Sequence, residues 1–167
     1  MKSRIKINDL SLSGLLLATA LILGYVESLI PILPSIPGIK VGLPNVILLL
    51  LLYKKDFKIG FVYIICILRV VLSAVLFGTF ISFVYALFGG LCSLSLMVVL
   101  KRNRHFGISG VSVFGAFAHN TAQLLIAALL TGSLYVFYYF PVLLLAGSIC
   151  GFICGVIALR LTKYINR

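Results

Sequence analysis

The apolar stretch from Gly107 to Gly132 is interrupted by His119-Asn120-Thr121, with Gln123 close behind. Imidazole and carboxamide groups both donate and accept hydrogen bonds, and an imidazole can also take up a proton. His119 and Gln123 are four residues apart, and Asn120 and Gln123 are three apart, so on a helix they share a face. Four other polar groups stand isolated in apolar or turn-forming surroundings: Glu27, Lys40, Asn45 and Arg69. Together, Glu27, Lys40, Asn45, Arg69, His119, Asn120 and Gln123 are the candidate ligand-binding set. Lys40 and Arg69 against Glu27 make the set neutral to mildly positive, which suits an anionic or zwitterionic ligand. A purely structural reading competes with this one, in which Glu27 pairs with Arg69 and the amides bridge helices.

The residues do not suggest catalysis, a metal or a cofactor. Asp9, Glu27 and Asp56 are the three acidic residues, and they are widely separated. Cys150 and Cys154 lie one helical turn apart, with no second metal-type ligand near them in sequence. They read, with Cys66 and Cys92, as small residues that help helices pack. The chain has no phosphate-cradling Gly-x-x-x-x-Gly-Lys loop, so any ATP must be used by another chain.

The elements that position these groups follow from composition. Hydrophobic residues make up 62% of the 167 residues and charged residues only 10%, with a mean hydropathy of +1.24. Soluble domains carry about 45–50% apolar residues. The expectation is a single all-α integral membrane domain spanning residues 1–167. Apolar runs place helices near 10–30, 43–53, 57–77, 79–100, 107–132 and 136–160. A span needs about 20 residues, so the run at 43–53 is short: it either continues at one end or does not cross fully. The first run is too long for a signal peptide and reads as a retained helix.

The net charge of +11 is not a nucleic-acid signature, because the basic residues form no basic helix or aromatic-interleaved patch. Twelve of the fourteen fall in four clusters, around residues 2–6, 54–58, 101–104 and 160–167, leaving only Lys40 and Arg69 elsewhere. A six-transmembrane-helix bundle with both termini cytoplasmic puts all four clusters inside, as the positive-inside rule requires. The expected location is a cell membrane crossed several times, taken to be the bacterial cytoplasmic membrane. On the helical rise, Arg69 and His119 both lie about 18 Å from the inner side and Glu27 about 25 Å. Groups at comparable depth on different elements can line one cavity. Gly147, Gly151 and Gly155 form a small-residue ladder suited to packing within the chain, while Gly14 and Ala18, and Ala20 and Gly24, repeat the spacing in the first helix.

"PGIKVGLPN" at 37–45, "LR" at 68–69, "FGG" at 88–90 and "AHNTAQLL" at 118–125 resemble the Gx transporter family, also labelled heptaprenyl diphosphate synthase component I. The resemblance extends from about residue 10 to residue 160. Pro44 departs from the small residue expected there, but proline is tolerated in a first helical turn. The family in turn resembles the substrate-binding S components of energy-coupling factor (ECF) transporters. This resemblance implies a small-molecule ligand, a transmembrane coupling subunit, separate ATPases, and docking through small residues of the first helix, here Gly14, Ala18 and Ala20. It implies no enzymatic activity in this chain. The rival readings are a membrane subunit of a quinone- or flavin-linked redox system and an accessory membrane subunit of isoprenoid (heptaprenyl diphosphate) synthesis.

Overall fold

The computed structural model describes residues 7–29, 42–55, 57–103 and 105–165. They form α1 (Ile7–Leu29), α2 (Leu43–Tyr53), α3 (Ile59–Phe77), α4 (Phe80–Arg102), α5 (Ile108–Thr131) and α6 (Phe140–Ile165). A short 3₁₀ helix, Leu134–Tyr139, leads into α6. No strand occurs among the described residues. Five helices are long and apolar enough to cross a membrane, and α2 is the exception. The bilayer acts as the solvent: Val75, Phe80, Leu129 and Leu145 are all largely exposed on the outside of the bundle. The protein is built as a multi-pass membrane protein.

The helices form a ring. α1 packs on α2 and α3, α2 on α6, α6 on α5, α5 on α4, and α4 returns to α3. α2 also touches α3 and is buried from Val46 to Leu52. A helix that is apolar on every side belongs in an interior. Its eleven residues rise only about 16 Å. It does not extend as a helix at either end, because Gly42 is left-handed (φ 77°) and Lys54 is extended. Of the two possibilities left open by the sequence, continuation of the helix is excluded at both ends.

The basic ends of the helices meet. Lys101 of α4 donates from Nζ to the carbonyl of Leu52 and lies 5.2 Å from the Tyr53 ring centroid. The last carbonyls of a helix lack internal partners and carry partial negative charge, so an ammonium group satisfies both needs. α2 is thereby fixed to the end of the bundle marked by Lys54, Lys55 and Arg102, and it stops short of the far end.

The α5–α6 boundary differs from the sequence expectation. Gly132, at φ 64°, ends α5 in the left-handed region, and Ser133 then accepts the Tyr135 N–H to start the 3₁₀ turn. The run at 134–139 is therefore not part of α6, which instead continues to Ile165. The glycine ladder packs within the chain as expected. A Cβ on Gly155 would lie 2.6 Å from Ser109 Cα, and one on Gly151 would lie 3.1 Å from Val113 Cα. On α1, Gly14 and Ala18 face outward, and a Cβ on Gly14 would meet nothing within 4 Å. Ala20 turns the other way: it is 2% exposed and packs in the core beside the α2 leucines. It cannot belong to an outward docking face.

Gly155→Val forces a side chain into the α5 backbone. Overpacking costs about 1–3 kcal/mol, so we expect the melting temperature to fall by about 3–10 °C. Gly14→Leu should leave it unchanged. Thermal unfolding of both variants in detergent checks the contrast, and an unperturbed Gly155→Val protein would refute the seam.

Candidate functional site

The site begins where α2 ends. The first turn of α2 meets α1 at two points. Gly24 faces the Pro44 ring (a Cβ there would lie 3.4 Å from Pro44 Cγ), and Glu27 accepts the Gly42 N–H through Oε1 at 2.6 Å. The first amides of a helix lack partners and carry partial positive charge, so a carboxylate is a suitable acceptor for them. Pro44 needs no acceptor, having no N–H. Glu27 is 8% exposed and is held by this contact, not by a direct ion pair with Arg69. The pairing considered from the sequence is therefore replaced by a helix-terminus contact, with Arg69 still close enough to feel the carboxylate's attraction.

Three cavities adjoin around this point. The first, of about 50 Å³, is lined by Asn45, Ser93, Ser112, His119, Asn120 and Gln123, among others. The second, of about 120 Å³, is lined by Glu27, Asn45, Arg69, Ser73, His119 and Gln123, again with others. The third, of about 250 Å³, lies at the far end, where Ser28, Ser73, Phe77, Thr79 and Ser82 face it. Gly42, Asn45, His119 and Gln123 border both the first and the second; Gly24, Val70, Ser73, Phe77 and Ala86 border both the second and the third. The space thus widens from the α5–α6 seam towards the α3–α4 turn. Each part exceeds the roughly 10–15 Å³ that one water requires.

Six of the seven residues singled out in the sequence meet here: Glu27, Asn45, Arg69, His119, Asn120 and Gln123. Lys40 lies outside the described residues. Small residues make the convergence possible. A Cβ on Gly89 of α4 would lie 2.9 Å from His119 Cε1 and 3.1 Å from Gln123 Cγ, so this glycine gives both side chains their space. Asn120 has a double role. Its Nδ2 donates to the Leu143 carbonyl at 2.8 Å, tying α5 to α6, and it also lines the innermost cavity. The helix-bridging reading therefore holds for Asn120.

The sequence reading missed several lining groups. Cys150 and Cys154 border the innermost cavity along with Gly147 and Gly151, on one face of α6. Cys154 is also buried, with its Sγ directed at the Gly42 carbonyl at 3.6 Å. None of the four cysteines forms a disulfide. Ser93 and Ser112, buried on α4 and α5, line the same space. Ser73 lies one turn beyond Arg69, and that spacing is the only sequence signal that pointed to it. The described residues contain no group of three or more His, Cys, Asp or Glu suited to a metal ion. The set is equipped to hold a small polar molecule by hydrogen bonds and charge.

The family model described as heptaprenyl diphosphate synthase component I matches residues 16–161, which include the whole cavity lining. No curated protein and no solved structure matches the chain.

A water-filled cavity predicts selective thiol chemistry. In a background without native cysteines, Ser73→Cys should react with a small, charged methanethiosulfonate reagent. Leu94→Cys, at a fully buried position, should not. Equal labelling rates would contradict an aqueous cavity at Ser73.

Proposed function

The chain belongs to the heptaprenyl diphosphate synthase component I family, and we propose that it is a substrate-binding membrane component, similar to an ECF S component, for uptake of a small molecule. The observation that carries this reading is the tapering cavity over the truncated α2, where polar groups of α1, α2, α3 and α5 converge. Ionisable groups within a span are costly and mark function by default. A helix that ends inside the bundle, with its positive N-terminus facing a cavity, is a recurring way to build a transporter site.

In this reading the helices place both termini and the basic clusters in the cytoplasm, with the wide end of the cavity outside. α2 completes the set of six while crossing only part of the bilayer. A membrane-impermeant thiol reagent applied to sealed cells should then miss Asn103→Cys. The chain has no nucleotide-binding loop, so the energy comes from separate ATPases through a transmembrane coupling subunit. The chain is proposed to be a binding protein without catalytic activity. The family description also favours a second reading, an accessory membrane subunit of prenyl diphosphate synthesis. That reaction needs Mg²⁺ held by carboxylates, which three scattered acidic residues do not supply, so the catalytic centre would lie in a partner.

Native mass spectrometry of the purified protein tests the first reading, with a bound small molecule as the expected result. His119→Ala or Gln123→Ala should weaken its binding about tenfold, since an unpaired buried hydrogen-bonding group costs about 1–3 kcal/mol. Joint neutralisation by Glu27→Gln and Arg69→Gln should also abolish binding while the protein remains monodisperse. Unchanged affinity in these variants would remove the case for a ligand site.

Docking has its own test. Gly14 and Ala18 face outward on α1, and a bulky side chain there blocks close helix approach. Gly14→Leu and Ala18→Leu should reduce co-purification with a coupling subunit and preserve ligand binding. Normal assembly by both variants would exclude α1 as the docking face.

A further inference from the structure

Arg69 is 9% exposed, in the middle of α3, and borders the second cavity. Its Nε is buried and meets no acceptor among the described residues. A cation in a membrane interior normally has a counter-charge in contact. Glu27 attracts it from nearby, but that carboxylate is already held by the Gly42 amide. Cys66, one turn before Arg69, is the other side chain acting on the guanidinium, which hydrogen-bonds to its sulfur. A thiol is only a weak acceptor.

The surroundings of Arg69 favour a negative group from outside the chain. In the N-terminal turn of α2, which borders the same cavity, the Gly42 amide is held by Glu27, Pro44 has no N–H and the Asn45 amide bonds the Gly42 carbonyl, so the group this turn offers a ligand is the Asn45 carboxamide. Ser73 lies on the Arg69 face of α3, and its hydroxyl makes no hydrogen bond among the described residues. Several other helical hydroxyls behave differently: those of Thr19, Thr121, Thr131 and Thr162 each bond back to a carbonyl four residues earlier. A guanidinium offers a planar fork of donors matched to two oxygens of one oxyanion.

We propose that Arg69 and Ser73, with the Asn45 side chain, form a subsite for the oxyanion group, carboxylate or phosphate, of the transported molecule. The inference rests on the substrate-binding reading and specifies its ligand as an organic acid or phosphate ester. Glu27 sits across the same cavity and limits the charge the site accepts. The oxyanion binds on the Arg69 and Ser73 side, away from the carboxylate that caps Gly42.

The test uses the full-length protein in detergent. Its melting temperature is measured in sodium phosphate, sodium acetate and sodium chloride of equal ionic strength. Phosphate or acetate should raise the melting temperature by about 3 °C or more at saturation, beyond chloride, and the salt that does so identifies the oxyanion. The rise should vanish in Arg69→Gln. If that variant does not fold, Ser73→Asp decides, because it tethers a carboxylate one turn from Arg69. Ser73→Asp should raise the basal melting temperature and eliminate the anion effect. No oxyanion-specific rise in the unmodified protein, or a full rise in either variant, overturns the subsite. A co-purified ligand without an acidic group, released by His119→Ala, would overturn it too while leaving the substrate-binding reading intact. An oxyanion effect that depends on Arg69, with no organic ligand ever recovered, would support the subsite and remove the uptake reading.

Discussion

The architecture depends on a helix that ends inside an apolar bundle. Backbone polar groups cannot be left unsatisfied away from water, and in lipid each such group costs several kcal/mol. α2 rises only about 16 Å and therefore exposes its N-terminal amides within the bundle. Three features meet that cost together. Glu27 accepts the Gly42 amide, Pro44 removes one donor from the turn, and the adjoining space is lined with polar groups. The cavity and the charged residues around it are thus consequences of a single short helix.

The opposite end of α2 must be fixed for this to work. Lys101 bonds the Leu52 carbonyl and stacks over Tyr53, so the helix cannot slide along the bundle without breaking a charge-assisted contact. Leucines buried on every side of α2 keep it central. The basic residues therefore do more than set orientation in the membrane. One of them also sets how far α2 reaches, and hence where the floor of the cavity lies.

Close packing places the remaining polar groups. Gly151 and Gly155 let α6 approach the α5 backbone, and Asn120 locks that seam through the Leu143 carbonyl. Gly89 does the same for the α4–α5 seam, where it makes room for His119 and Gln123. The small residues thus hold the helices near enough for side chains from four elements to border a common space. A larger residue at any of these positions would displace a cavity-lining side chain along with its helix.

The sequence by itself determined the all-helical membrane character and marked polar positions that the fold brings to the cavity lining. Water and lipid sort residues so strongly that an imidazole, a guanidinium or a carboxylate in an apolar run stands out without any coordinates. The family signatures followed from the same residues. Only the tertiary structure decided the partners of those groups. Glu27 is held by the Gly42 amide instead of Arg69, Asn120 bridges helices, and Ala20 faces the core instead of a partner. Ser73, Cys150 and Cys154 entered the lining unannounced, because serine and cysteine are ordinary in a transmembrane helix and carry no signal until their direction is known. Periodicity fixes which residues share a helix face, but the rotation of each helix about its axis is set by packing against its neighbours, and that rotation determines which groups meet.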